Sequence, residues 1–144
     1  MERSRVTEIV LRAIRSDSRR SLSELSRERD IPLQALLAAS RNIEKSGVVR
    51  YASLIDPRQI GYSIRVNYLL KERTGGVRGF LGRHKSINNC SRLMDEGMFY
   101  AECFFRDMKE LDDFREALDE LGAKIVDEAF VTEELKREGV MCDL

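Results

Sequence analysis

The 144-residue chain is poor in the residues on which metal centres and disulfide frameworks depend: it has one histidine and three cysteines, and only two prolines. With a single histidine, His84, no Ser-His-Asp or Cys-His arrangement can be inferred, and no metal-ligand spacing accompanies it. Cys90, Cys103 and Cys142 form no Cys-x-x-Cys pair, and an odd number argues against a closed disulfide framework. Unpaired thiols in a reducing cytoplasm are the expectation. A phosphate-binding glycine loop is missing, so neither a metal nor a phosphate cofactor is expected. No long apolar run occurs and the opening residues 1–16 carry acidic positions, so neither a signal peptide nor a membrane span is expected. The length fits one ordinary domain or two small ones, each with a modest core that gains from dimerisation.

What the chain does contain is periodicity. Val6, Ile9, Val10, Ala13 and Ile14 recur at three and four residues, which places them on one face of a helix ending near Arg15 to Ser18. Ser21 with Glu24 reads as a capping box that opens a second helix running to about Glu28. After a turn at Arg29 to Ile31, Pro32 suits the first turn of a third helix, where its missing amide proton costs little. That helix is expected to carry Leu36, Ser40 and Ile43 inward and to stop before Gly47. Val48 to Leu54 alternates like a strand, ended by Asp56 and Pro57. Two helices joined by a tight turn and followed by a hairpin wing make a module that reads a DNA groove.

Beyond Gly61, Ile64, Val66, Tyr68 and Leu70 alternate as a strand, and Gly76 to Arg83 reads as a short helix with Val77, Phe80 and Leu81 on one face. Ser86 to Met94 and Met98 to Phe105 form a hairpin around Asp95, Glu96 and Gly97. Leu111, Phe114, Leu118 and Leu121 mark a helix, and Lys124 to Thr132 a last strand. The order strand, helix, strand, strand, helix, strand is the ferredoxin-like arrangement. The fold class is therefore α+β, with a winged helix-turn-helix over residues 1–60 and a ferredoxin-like domain over 61–144. Charge divides along the same line. Lys and Arg minus Asp and Glu is 12 − 8 = +4 for residues 1–60 and 13 − 17 = −4 for residues 61–144. A basic front module is what phosphate attraction needs.

Several of these residues together resemble the Lrp/AsnC (feast/famine) transcription regulators. The resemblance rests on Val10 and Leu11, the cluster Asp17, Ser18, Arg19 and Ser21, Glu24 with Leu25, Glu44, Gly47 to Val49, and the run Leu54 to Tyr62, which is similar to the family's interdomain linker. It covers about the first 62 residues in register. It implies a cytoplasmic regulator that binds double-stranded DNA as a homodimer or higher homo-oligomer. The face of helix three left free by its core holds Leu33, Gln34, Leu37, Ala38, Arg41 and Lys45. Gln34 and Arg41 suit base edges, while Arg19, Arg20, Lys45 and Arg50 are placed for phosphates. The resemblance further implies a small-molecule effector site at Gly97, Met98, Phe99 and Tyr100, which align with the family's Gly-x-Tyr-Asp motif. Departures from the family stand at Pro32, Ala35 and Ala39, in the apolar Leu33 and Leu37, and at Tyr100, where the family has Asp.

Two alternatives accompany this reading. A branch of Lrp/AsnC-like proteins decarboxylates tetrapyrroles in sirohaem and haem d1 synthesis, and Val49 to Ala52 resembles that branch too. In such an enzyme the adjacent basic residues Arg83, His84 and Lys85, with Arg92 on the following strand, would hold carboxylates, and His84 would act as proton donor. The other alternative is a regulator acting through protein contacts alone, using the leucines of helix three and Leu135, Val140 and Met141 of the segment Glu133 to Leu144.

Overall fold

The computed structural model describes residues 2–136, with side chains from Arg5 onward. The chain divides into two compact units, the first running to Leu54 and the second from Ile55 to Glu134. No helix among the described residues is long and apolar enough to cross a membrane.

In the first unit the expected periodicity produces three helices: α1 (Glu2–Ser16), α2 (Leu22–Arg29) and α3 (Leu33–Lys45). Their core is small: Val10, Ala13, Leu25, Leu36, Ala39 and Ile43, with Val6, Ile9, Ile14 and Ile31 packed against it. The tight turn between α2 and α3 is made by Asp30, the one non-glycine residue at positive φ (52°) among the described residues, an αL conformation that a short polar side chain tolerates. Gly47, at φ 72°, follows α3 as expected.

Three expectations for this unit need correction. Ser21 does cap α2, with extended backbone, but its side chain makes no capping hydrogen bond. Ser21 and Glu24 are both exposed and do not form the reciprocal box. On α3 it is Ala39, 7% exposed, that completes the buried face. Ser40 is half-buried, its hydroxyl 3.5 Å from Glu44. The alternating run from Val48 to Leu54 forms no strand. Val48, Tyr51 and Leu54 stay exposed, because a lone stretch with no partner strand leaves its main-chain groups to water and gains nothing by extending.

The second unit opens with a 3₁₀ turn, Pro57–Ile60, and continues as β1 (Ile64–Glu72), α4 (Val77–Leu81), β2 (Ile87–Arg92), β3 (Met98–Phe105), α5 (Met108–Glu120) and β4 (Ala123–Phe130). The four strands form one sheet in the order β2-β3-β1-β4, every neighbouring pair antiparallel. Strand alternation sends Val66, Tyr68 and Leu70 of β1 and Phe99, Ala101, Cys103 and Phe105 of β3 to one face, all buried. Leu111, Phe114 and Leu118 of α5 and Val77 and Leu81 of α4 join them in one core. Phe114 is the hub: its ring centroid lies 5.5 Å from Tyr68, 5.8 Å from Phe80 and 5.4 Å from Phe105. Arg115 ties α5 to β4 through a two-pronged pair with Glu128, Nε to Oε1 at 2.9 Å and Nη2 to Oε2 at 2.6 Å.

The opposite face of the sheet carries a polar network. Glu102 of β3, only 6% exposed, accepts hydrogen bonds from Asn88 at 2.8 Å and Asn89 at 2.6 Å and pairs with Arg65 of β1. Arg65 also pairs with Glu134 and lies 5.5 Å from the Phe104 ring centroid. Leu135 is exposed after β4. Val140 and Met141, expected to cover a partner, and Cys142 lie outside the described residues.

Candidate functional site

The exposed side of α3 follows from its buried side. Leu36, Ala39 and Ile43 face the core. Gln34, Ala38, Arg41 and Lys45, spaced at four, three and four residues, lie opposite them and are exposed. The structure thus brings four of the seven expected DNA-contacting residues onto one helical face. Leu33 and Leu37 are half-buried at its margin, so the free face is more polar than expected. Its charge is Arg41 and Lys45, with Glu44 beside them; Tyr51 donates a hydrogen bond to Glu44 at 3.3 Å. Arg19 and Arg50 are exposed. Arg19 follows a local turn in which its amide donates to Asp17 Oδ1 at 2.9 Å. Arg20 is spoken for, since its guanidinium pairs with Glu28 of α2. Such a surface pair is weak enough to exchange for a phosphate.

The four residues aligned with an effector motif do not share one direction. Gly97, at φ 71°, closes the β2–β3 hairpin. Its carbonyl accepts the Glu72 amide at 2.8 Å, and the Met98 amide donates to the Asp95 carbonyl at 3.1 Å. Phe99 is 5% exposed and belongs to the core, whereas Met98 and Tyr100 point to the other sheet face, as alternation requires. Gly97 also helps line an open cleft of about 490 Å³ with Lys71, Glu72, Arg73, Arg92 and Glu96. Of these, sequence reasoning had singled out only Arg92, Glu96 and Gly97. The others lie near the end of β1, where no motif marks them.

His84 has a structural setting. Its ring packs 4.9 Å from Phe80 and 5.0 Å from Phe114, and Nδ1 accepts the Ser86 amide at 3.2 Å. Burial, then the neighbouring Lys85 charge, lowers its pKa from the ordinary value. The neutral ring is therefore the folded form, which does not suit a resting proton donor. A folded pKa below the unfolded one means a stabilising contribution that is complete above the unfolded value and lost as pH falls through the folded one. The difference in unfolding free energy between the parent chain and His84→Phe, followed by urea denaturation, is expected to shrink as the solution is acidified past the ordinary histidine range. A pH-independent difference would show that the ring is not held neutral. The buried Cys103 thiol is pushed up to about 12 by burial and the neighbouring Glu102 charge. Among the described residues no group of three or more potential ligands could hold a metal ion.

No family model matches the chain. Among curated proteins, an uncharacterised HTH-type transcriptional regulator of Pyrococcus horikoshii is 35% identical over 65 residues, 44% of this chain and 41% of that protein. The match therefore spans under half the length of that relative. A second HTH-type regulator, from Pyrococcus abyssi, is 27% identical over 109 residues, 73% of this chain and 69% of its own. Among solved structures, a feast or famine regulatory protein of Mycobacterium tuberculosis complexed with L-methionine superposes with a TM-score of 0.80 at 17% identity, covering 92% of this chain and 93% of that one. An AsnC family transcriptional regulator of Agrobacterium tumefaciens gives a TM-score of 0.75 at 17% identity, covering 92% of each chain. At such identities the likeness is one of fold.

Proposed function

We propose that this chain, which has the fold of Lrp/AsnC feast/famine regulators and is similar in sequence to HTH-type transcriptional regulators, is itself a sequence-specific DNA-binding transcription regulator of the cytoplasm. In this reading residues 1–60 are a helix-turn-helix module, without the expected strand wing, and residues 61–144 a ferredoxin-like domain for effector binding and dimerisation. The observation that carries it is the exposed row Gln34, Ala38, Arg41 and Lys45 on α3, placed after α2 and a tight αL turn as a recognition helix is. Gln34 and Arg41 present the paired donors and acceptors that read base edges, Ala38 suits a thymine methyl, and Arg19, Arg20, Lys45 and Arg50 serve phosphates.

Two copies joined through the second unit present two such helices to a roughly palindromic site. Occupancy is adjusted by a small molecule held beside Gly97 at the β2–β3 hairpin. The half-burial of Leu33 and Leu37 weakens the case for a helix that docks only on protein. The packed, neutral His84 weakens the case for a tetrapyrrole decarboxylase.

The test is binding of the full chain to a duplex from its own upstream region at several salt concentrations, with unrelated DNA as competitor. Arg41→Ala is expected to cost about 2 kcal/mol, mainly for the preferred duplex. Arg19→Ala is expected to weaken binding to all duplexes alike and reduce the salt slope by about 1. Equal and negligible effects of the two changes would refute the DNA reading.

A further inference from the structure

The cleft beside Gly97 has an uneven balance of charge. Lys71, Arg73 and Arg92 line it with Glu72 and Glu96. Glu72 is already engaged, because its Oε1 accepts the amide of Val77, the first residue of α4, at 3.0 Å. Among the described residues none of the three cations forms an ion pair. The Val77 contact leaves Glu72 ionised, so three positive side chains face two carboxylates, an excess of one positive charge in the cleft.

The surroundings sharpen the imbalance. Lys71 on β1 has Lys124 of β4 as its cross-strand partner, and like charges directly opposite on an antiparallel pair are destabilising. This collection of cations sits in a stretch, 61–144, where 13 basic residues are outnumbered by 17 acidic ones, so the overall charge of the unit does not account for it. Its size, about 490 Å³, is that of a small-molecule site. Two wall positions, Gly75 and Gly97, are glycines at positive φ; Gly75 has open space where a Cβ would stand, so the main chain there admits close approach by a ligand, whereas Gly97 packs against Glu72. Arg73 and Arg92 offer planar forks suited to carboxylate or phosphate oxygens, and Lys71 a point charge.

We propose that this cleft binds a small molecule carrying two negative charges, a dicarboxylate or a phosphate monoester, and that such a dianion is the effector class of the second unit. The proposal rests on the reading of that unit as the ligand-sensing part of a regulator. It differs from a site for a neutral amino acid, in which an acidic residue would hold the ammonium group. Here the cations outnumber the carboxylates Glu72 and Glu96 by one, which favours an anion over an ammonium-bearing ligand.

The test is calorimetric titration of the full chain, without DNA, by succinate, glycerol phosphate and L-methionine at low and moderate salt. Saturable binding of at least one of the two dianions, weakening as salt rises, is expected; which of them binds more tightly separates carboxylate from phosphate recognition. Arg73→Ala and Arg92→Ala, both at exposed positions, are each expected to weaken that binding at least about tenfold, the loss of a charge-assisted contact. Glu96→Gln, which removes the opposing carboxylate, is expected to strengthen it about threefold.

Binding of L-methionine but of neither dianion would overturn the proposal, as would dianion affinity unchanged in both arginine variants. So would a parent chain that binds no dianion and whose arginine variants lose affinity for duplex DNA, because the cations would then serve the nucleic-acid backbone. The regulator reading fails separately, through absence of duplex binding by the parent chain.

Discussion

Phe114→Ala is expected to lower the stability of the second unit by about 4 kcal/mol, within the usual cost of deleting a fully buried phenyl ring. The ring is 1% exposed and packs against Phe80 of α4, Tyr68 and Phe105 of the sheet and the His84 ring together. Its removal forfeits the transfer energy of the ring and leaves a cavity walled by Tyr68, Phe80 and Phe105. Those are rigid aromatic groups that relax poorly into a gap. A domain's whole stability is about 5–15 kcal/mol, so the unit would be left marginal. Urea denaturation followed by near-ultraviolet circular dichroism of the tyrosines and phenylalanines checks this. A loss under about 1 kcal/mol would mean that the aromatic cluster closes over the vacancy. Phe114→Leu, which keeps most of the volume, is expected to cost about 1 kcal/mol.

The second large effect belongs to the other face of the sheet. Glu102→Ala is expected to cost about 3 kcal/mol, the low end for breaking a buried charge pair, because Arg65 retains Glu134 as a partner. The loss comes from what is left behind: a half-covered guanidinium and the Asn88 and Asn89 amides, each deprived of an acceptor.

The same substitution should change the response to acid. Burial raises the Glu102 carboxyl, but the hydrogen bonds from Asn88 and Asn89 and the Arg65 charge outweigh it, and the group sits below its ordinary value. A carboxylate with a depressed folded pKa stabilises the fold above its unfolded pKa, and that contribution disappears as pH falls through the folded value. The stability gap between the parent chain and Glu102→Ala is therefore expected to be widest near neutrality and to narrow in acid. A gap that stays constant down to strongly acidic solution would show that the ionised form is not what the network holds.

Much of the second unit was legible because its patterns are long and its burial one-sided. The spacing of Leu111, Phe114 and Leu118 permits only a helix, and the alternation of Val66, Tyr68 and Leu70 only a half-buried strand. Glu102 was the visible irregularity, a lone carboxylate inside the apolar run Met98 to Phe105. Its partners Asn88 and Asn89 become meaningful only once β2 lies beside β3.

The first unit was less readable where the decision turned on a single residue. Ala39 and Ser40 both fit a period of 3.6 after Leu36, and the choice between them is made by packing against α1 and α2. The expected wing fails for a different reason: alternation specifies which residues could share a face, but no neighbouring strand or surface within the unit takes up Val48, Tyr51 and Leu54. The cleft was the least legible feature. Lys71 is the last residue but one of one strand, Arg73 belongs to the loop after it and Arg92 ends another strand, so only the antiparallel sheet brings them together.

The burial of Cys103 gives the chain an internal timer. Its thiol has no exposed surface, and at a pKa of about 12 almost none of it is in the nucleophilic thiolate form near neutrality. An alkylating reagent must wait for β3 to part from its neighbours, while Cys90, exposed on the adjoining strand, meets the reagent at once. With each thiol followed by peptide mapping, so that Cys142 is scored apart, the lag between Cys90 and Cys103 is a natural stopwatch for transient opening of the sheet, without any engineered probe.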